Sequence, residues 1–319
     1  MQSSRSINIR SKPTHVNNAE RSSRINHSRS HWRNAWDRLR RNGAATMGLL
    51  VIACFYFIAL CAPLLAPHDP LKQNYANTLQ QGVWATGDWR FVLGTDELGR
   101  DVLSRLLYGA RVSMTIGLVP ITLTLIIGGL IGMTAGSSGG VMDNLLMRLA
   151  DVMYAFPQLL WLIIVTVTFR DSWIGAQMSG LLLLFVALAV TGWEGMARLV
   201  RGQVLQVREK EYVVAARMVG VDRVRLMIHH IAPNILAPVI VSVAFSVPGA
   251  IMGEAGLSFL GLGIKPPAPS WGSMIADGQK LLFAQPTLML APACCLAVLM
   301  LAFSFLGDGL RDAFDPQMR

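Results

Sequence analysis

Six long stretches without a charged side chain limit what this chain can fold into. Each is near or above the roughly 18–20 residues that an α-helix needs to cross a hydrocarbon core of about 30 Å. They are residues 42–67, 112–142, 152–169, 172–193, 231–253 and 281–307. We therefore predict an all-α membrane protein with six transmembrane helices. Because only residues 170–171 separate the third stretch from the fourth, these two could instead form one broken hairpin.

The basic charge of the chain is concentrated at its N-terminal end. The net charge of +9 would suggest a nucleic-acid partner, but ten of the 28 Lys and Arg residues lie in residues 1–41 beside only two acidic residues. We expect residues 1–41 to be a disordered cytoplasmic tail, since they lack apolar periodicity, and residues 42–319 to form the transmembrane domain. Adhesion to anionic lipid headgroups is an alternative role for the tail. Nucleic-acid binding ranks third, because no aromatic residues alternate with the arginines.

The distribution of Lys and Arg between the loops predicts the orientation. With the N-terminus in the cytoplasm, the inner segments hold 20 basic residues and the outer segments hold eight. Cytoplasmic segments carry such an excess in most membrane proteins. We therefore predict that both termini are cytoplasmic. The segment 198–232, between the fourth and fifth spans, is then cytoplasmic as well.

The predicted spans contain no ionisable side chain away from their ends. Glu194 and Glu254 lie at span ends, and Glu194 precedes Arg198 by four residues, which favours a local ion pair. Carriers driven by protons or sodium usually keep ionisable groups at membrane depth. We therefore expect an external energy source for any transport. A self-sufficient secondary carrier and an intramembrane enzyme are the rival hypotheses.

The cytoplasmic segment contains a charged stretch with helical periodicity. A helix over residues 209–219 would place four small or apolar residues on one face: Tyr212, Ala215, Ala216 and Val219. Gly220 can then take the positive φ that ends the helix. Asp222 can cap a second helix from Arg223, and Pro233 suits the first turn of the fifth span. The pattern predicts a helix-turn-helix whose small face permits close approach of another surface.

The stretch EYVVAARMVGVDRVRLMIHHIAPN (211–234) resembles the cytoplasmic "EAA" loop of ABC-importer permeases. The matching positions are Ala215, Ala216, Gly220 and Pro233, whereas Val214 replaces the usual acid. In that family the loop docks on the ATP-hydrolysing subunit and acts as a coupling loop. The resemblance implies a docking set of Glu211, Tyr212, Ala215, Ala216, Val219, Gly220 and Asp222. An amphipathic loop that lies on headgroups is the alternative from the pattern alone.

Four further segments resemble the second permease subunit of oligopeptide and dipeptide importers. They are LGTDELGRDVLSRLLYGARVS (93–113), DVMYAFPQLL (151–160), EAGLSFLGLGIKPPAPSWG (254–272) and LGDGLRDAFDP (306–316). The resemblance covers the chain from about residue 32 to its end. It implies a pore-forming permease in the bacterial cytoplasmic (inner) membrane, a homologous permease subunit, two ATP-binding subunits and an extracytoplasmic solute-binding protein. Short peptides are the implied substrates, with nickel, glutathione or oligosaccharide as alternatives within the subfamily.

Two outer segments are candidates for a loop or gate. In the first, Gly94 and Gly99 allow permissive dihedrals and Asp96 and Asp101 suit local caps, followed by a helical lead-in over 104–113. In the second, the glycines and prolines of 260–272 exclude a regular helix, so it is a semi-rigid interfacial loop or a re-entrant one. Its role is contact with a delivery protein, lining of the translocation mouth, or simple anchoring. The candidates are Gly94, Asp96, Gly99, Arg100, Asp101, Gly261, Gly263, Pro266, Pro267 and Trp271.

The chain lacks common catalytic and nucleotide-binding motifs. It contains no G-x-x-x-x-G-K-[ST] phosphate-binding loop, no H-E-x-x-H and no C-x-x-C. We therefore expect no catalytic residue, metal or cofactor in this chain. ATP and magnesium would be bound by the partner ATPase subunits.

Overall fold

A computed structural model describes residues 31–315, so the prediction of disorder for residues 1–30 lies outside the described residues. Within that range the chain forms helices joined by loops, with one isolated β-bridge between Thr95 and Asp101. The α-helices are α1 (His31–Arg41), α2 (Gly43–Leu65), α3 (Val83–Thr86), α4 (Val102–Ser138), α5 (Gly140–Ala155), α6 (Gln158–Phe169), α7 (Trp173–Ala176), α8 (Leu181–Val190), α9 (Trp193–Arg208), α10 (Glu211–Met218), α11 (Arg223–Leu226), α12 (Ala232–Phe259), α13 (Trp271–Gln279) and α14 (Thr287–Phe314). A π-helical segment, Met227–Ile231, joins α11 to α12.

Five helical segments of the described part are long and apolar enough to cross a membrane. They are Gly43–Leu65, Val102–Ser138, Trp173–Val190, Arg223–Phe259 and Thr287–Phe314. Helices α5 and α6 count as a sixth span if they are taken as one, although they meet at a bend of 88°. The predicted all-α fold with six spans is confirmed on that count.

The third predicted span, 152–169, is not a straight helix. Helix α5 ends at Ala155, and α6 begins only after Pro157. Proline provides no N–H for the preceding turn and disfavours helical dihedrals at the residue before it, here Phe156. The indole Nε1 of Trp161 donates across the bend to the carbonyl oxygen of Met153, 3.3 Å away, which fixes the angle between the two helices.

Several predicted ends shift for local reasons. The helical lead-in to the second span is confirmed, since α4 begins at Val102 with Asp101 as its N-cap. The predicted end at residue 142 is wrong, because Gly139 and Gly140 both take positive φ and stop the helix at Ser138. The sixth span begins at Thr287, just after Pro286, rather than at residue 281.

The prediction of a disordered tail up to residue 41 is wrong for its last part. Helix α1 buries Ala35 and Leu39 against Ala45 and Ala313. These two apolar residues are spaced four apart, which places them on one helix face. A short amphipathic helix therefore packs where the first and last spans meet.

Helix α4 is the central element and packs most extensively on α9. Its glycines at 128, 132 and 136 are spaced by four residues and face α9. A Cβ atom on Gly128 would lie 2.6 Å from the carbonyl oxygen of Trp193, and one on Gly132 would lie 2.5 Å from that of Ala197. Small residues at this spacing let two membrane helices approach backbone to backbone. This close contact between α4 and α9 holds α9 and the segment that follows it against the helical core.

Candidate functional site

The segment between α9 and α12 contains the predicted turn. Gly220 follows α10 with a φ of +86°, and no atom lies within 4 Å of a Cβ built on it. The backbone N–H of Val221 donates to the carbonyl oxygen of Ala216 at 3.1 Å, which closes the end of the helix. The carboxylate of Asp222 accepts from the N–H of Val224 at 3.1 Å and so caps α11. The two local predictions for Gly220 and Asp222 are therefore confirmed.

Packing divides the residues of α10 between an inner and an outer side. Val213 is fully buried in a cluster with residues of α9 and α12, and Ala216, one turn later, packs against the same cluster. The structure thus separates Ala216 from the other predicted docking residues. Glu211, Tyr212, Ala215, Val219 and Asp222 are exposed.

Exposed apolar residues form a patch on the outer side of α10, which we call the docking patch: Tyr212, Ala215, Met218 and Val219. Met218 is 81% exposed and Val219 is 86% exposed, although neither lies on a candidate span. Sequence reasoning missed Met218, because the one-face pattern was centred on the alanines. Its position at the end of the helix, two residues before the turn at Gly220, is the sequence signal that indicates its exposure. Contiguous exposed apolar residues of this kind mark interaction sites.

Three arginines on the segments that flank the docking patch form contacts with the membrane helices. Arg201 donates from Nε and Nη2 to the two carboxylate oxygens of Asp143 on α5, at 2.6 and 2.8 Å. Arg208 donates to the carbonyl oxygen of Gly136 at 2.9 Å. Arg223 donates to the hydroxyl of Ser138 at 2.9 Å. These contacts fix the segment to the C-terminal end of α4 and to α5.

Asp96 organises the first outer segment. Its carboxylate accepts from the backbone N–H groups of Leu98 and Arg100, as predicted for a local cap. It also pairs with Nε of Arg100 at 2.7 Å and lies 3.4 Å from Nε of Arg105. Arg105 is 5% exposed, and Asp96 is the carboxylate that pairs with it, while Asp277 adds a weaker attraction.

The two glycines of this segment have the predicted dihedrals. Gly94 has a φ of +84° and Gly99 a φ of +71°. A Cβ on Gly99 would overlap the carbonyl oxygen of Asn74, so a tight backbone approach adds to the dihedral requirement. Asp101 is the N-cap of α4 and accepts from the N–H of Ser104 at 2.9 Å.

The second outer segment is held by a buried carboxyl group. Glu254 was expected at a span end, but it lies inside α12 and is fully buried. The hydroxyls of Ser258 and Ser270 each donate to its Oε1 at 2.7 Å. Since Ser270 caps α13, Glu254 fastens the loop to α12. Gly261 has a φ of +75°, and a side chain on Gly263 would overlap Ser258.

Trp271 is not the interfacial anchor that its sequence context suggested. It is 1% exposed, and its ring meets that of Phe55 edge-on at a centroid distance of 5.3 Å. The indole Nε1 donates to the carbonyl oxygen of Leu106 at 3.1 Å. A buried partner for its polar atom lets the ring serve as core rather than as an interface residue.

One cavity of about 390 Å³ joins the two predicted outer segments. Its lining includes Asp96 and Arg100 from the first segment and Gly261, Gly263, Pro266 and Pro267 from the second. The remaining candidates, Gly94, Gly99, Asp101 and Trp271, are not among its lining residues. The structure therefore places residues 160 or more positions apart in sequence around one site.

The bundle is the fold of a membrane-spanning chain of an ABC transporter. It resembles an inward-facing methionine ABC transporter with a TM-score of 0.54, over 66% of this chain and 96% of that chain, at 17% sequence identity. A second crystal form of that transporter gives a TM-score of 0.53 over 66% of this chain and 97% of that one, at 16% identity.

The chain belongs to the family of binding-protein-dependent transport system inner membrane components, which matches residues 128–319. Residues 30–81 match the N-terminal TM domain of oligopeptide transport permease C. The dipeptide transport system permease protein of Bacillus subtilis is 40% identical over 92% of this chain and 88% of its own length. The oligopeptide permease of the same organism is 39% identical over 92% of both chains. The di/tripeptide permease of Pseudomonas aeruginosa is 39% identical over 89% of this chain and 91% of its own. The family predicted from the sequence motifs is confirmed.

Proposed function

We propose that this chain is a pore-forming permease subunit of a bacterial ABC importer that moves short peptides across the cytoplasmic membrane. Its similarity to dipeptide and oligopeptide permeases over nine-tenths of its length supports peptides as the substrate class. A homologous permease subunit completes the pore, and an extracytoplasmic binding protein delivers the solute. Two ATPase subunits supply the energy, and this chain binds neither ATP nor magnesium.

The docking patch is the observation that carries the mechanism. It exposes apolar side chains on a short helix outside the candidate spans, where a protein groove can bury them. The ion pair between Arg201 and Asp143 connects the same segment to α5. A displacement of the docked helix is therefore passed to α4 and α5 as a rigid unit. Closure of the ATPases would thus shift the bundle between two states that open to opposite sides.

The proposed orientation places the docking patch and both termini in the cytoplasm and the cavity beside Asp96 on the outer face. The excess of basic residues in the inner segments supports it. The delivery protein then meets the loops that line the cavity, and the ATPases meet α10.

The direct test is co-purification of the ATPase subunits with variants of this chain, together with ATP-driven dipeptide uptake in proteoliposomes. Ala215→Arg places a charge in the docking patch without disturbing the buried side of α10 that holds Val213. We expect it to lower both ATPase retention and uptake by more than about tenfold, because a desolvated charge without a partner is costly. Gln206→Arg adds the same charge on the exposed face of α9 and should leave both unchanged.

Full ATPase retention and full uptake in Ala215→Arg would contradict docking through this patch. A second arm uses the wild-type chain alone, which should neither bind nor hydrolyse ATP. Stoichiometric nucleotide binding by the isolated subunit would contradict the assignment of ATP to partner subunits.

A further inference from the structure

A second cavity, of about 220 Å³, lies within the helical bundle and is distinct from the one beside Asp96. Its walls come from α4, α6, α8, α9 and α12. Thr124 contributes from the middle of α4, and Ser246 contributes from midway along α12. Since both helices are candidate spans, the cavity is at membrane depth.

Two interruptions of the helices meet at this cavity. Gln158 begins α6 directly after the 88° bend, and Gly192 separates α8 from α9. A Cβ atom on Gly192 would lie 3.6 Å from the hydroxyl oxygen of Thr124 and 3.9 Å from the amide nitrogen of Gln158. The missing side chain therefore keeps the space between these polar groups open. In many secondary transporters, broken helices that surround a polar space near the bilayer midplane form the substrate site.

One carboxylate lines this cavity and is not neutralised by a partner there. Glu194 lies in the first turn of α9, and its Oε2 is buried without a hydrogen-bond partner. Arg198, one turn further on, was expected to pair with it. Instead the guanidinium of Arg198 donates to Asp151 at 3.2 Å and stacks over the ring of Tyr154 at 4.3 Å. The acidic side chain thus faces the cavity, whose other lining residues carry no charge, and Arg198 acts on it only through a longer-range attraction. An ionisable residue at this depth marks a functional site by default.

We propose that this cavity binds the ammonium group of a solute in transit, with Glu194 as its counter-ion. The proposal rests on the proposed function as an importer of short peptides, whose free N-terminus supplies the cation. The hydroxyls of Thr124 and Ser246 and the amide of Gln158 offer acceptor oxygens for the remaining ammonium protons. Glu194 would favour solutes with a free amine over blocked ones.

The test probes the electrostatic potential of the cavity with thiol reagents of opposite charge. Gly249 lines the cavity, and a Cβ built there meets no atom within 4 Å, so Gly249→Cys introduces a thiol without a clash. The variant is made in a background without the four native cysteines, all of which are free, and is assembled with its partner subunits. The measured quantity is the ratio of the labelling rates for a quaternary-ammonium and a sulfonate methanethiosulfonate.

We expect the cationic reagent to react faster, and Glu194→Gln to lower the ratio by a factor on the order of ten, because Glu194 and Gly249 line the same cavity and an opposite charge is only partly screened at this depth. Glu209→Gln removes the same charge at the far end of α9, about 22 Å along the helix, and should leave the ratio unchanged. An unchanged ratio in Glu194→Gln, or a thiol that reacts with neither reagent, would overturn the proposal.

A protection experiment with two peptides tests recognition of the amine. A dipeptide with a free amine should slow labelling of Gly249→Cys, whereas its N-acetylated form should not. Equal protection by the two peptides would overturn recognition of the ammonium group. Failure of the proposed function gives a different result: no ATP-driven dipeptide uptake by the wild-type complex, while the dependence of the labelling ratio on Glu194 persists.

Discussion

Arg201 and Asp143 lie 58 positions apart in sequence and form a two-pronged ion pair between α9 and α5, with distances of 2.6 and 2.8 Å. The Asp143 side chain is 12% exposed and that of Arg201 is 33% exposed. Both atoms of the guanidinium edge face the carboxylate, a geometry that adds strength and orientation beyond a single hydrogen bond. The pair connects the segment before the docking patch to the bent helix pair.

This ion pair should contribute a measurable coupling energy. A double-mutant cycle of Asp143→Ala and Arg201→Ala, measured by thermal unfolding of the purified chain in detergent, should give a coupling of about 1–2 kcal/mol, since the pair is charge-assisted and Arg201 is partly exposed to solvent. The matched cycle of Asp143→Ala with Arg148→Ala, an exposed residue of α5, should be additive. Additivity in the first cycle would contradict a role for the pair in holding the two helices together.

Asp96 should be the residue on which the outer segment most depends. Asp96→Ala removes the carboxylate that pairs with the buried Arg105 and leaves it only the weaker attraction of Asp277, so we expect a loss of about 2–3 kcal/mol in the free energy of unfolding. Glu97→Ala changes the exposed neighbour and should stay within about 0.5 kcal/mol of the wild type. Limited proteolysis between α2 and α4 should be faster for Asp96→Ala alone. Equal stabilities of the two variants would show that Arg105 does not need this partner.

Two glycines with the same dihedral separate the effects of strain and packing. Gly87 has a φ of +70° with open space around it, whereas Gly99 has a φ of +71° and faces the carbonyl oxygen of Asn74. Gly87→Ala should cost about 1–2 kcal/mol from its left-handed dihedral. Gly99→Ala should cost about 1–3 kcal/mol more, because its methyl group must displace backbone. Melting temperatures of the two variants test this order, and a reversed order would contradict the close approach.

The orientation should be visible in reporter fusions. Fusions after Pro70 and after Pro267 should report an external position, and a fusion after Lys210 should report a cytoplasmic one, because the basic residues are concentrated on the inner side. Pro70 and Pro267 lie in turns between helices, and Lys210 lies between α9 and α10. A cytoplasmic signal after Pro70 would invert the proposed topology and would place the docking patch outside.

Local chemistry made several features predictable. The apolar stretches fixed where the membrane helices lie, and the caps at Asp101 and Asp222 and the turn at Gly220 followed from side-chain chemistry within a few residues. The glycine repeat of α4 likewise has the spacing of a close-packing motif, which is a property of nearby residues. The division of α10 into a buried and an exposed side was not predictable, since it depends on which helices surround Val213.

The sequence by itself determined the membrane class, the approximate positions of the spans and the family, because hydropathy, capping and motif order are properties of contiguous residues. Tertiary structure alone decided the partners of Arg198 and Arg201, which lie far away in sequence. Glu194 and Arg198 have the spacing of an ion pair, yet Arg198 pairs with Asp151, which the bend before α6 brings within 3.2 Å. The pairing of a long side chain depends on which opposite charge lies nearest in space, and that is set by helix packing. The same helix packing leaves the carboxylate of Glu194 facing a cavity, where it is available to bind a ligand.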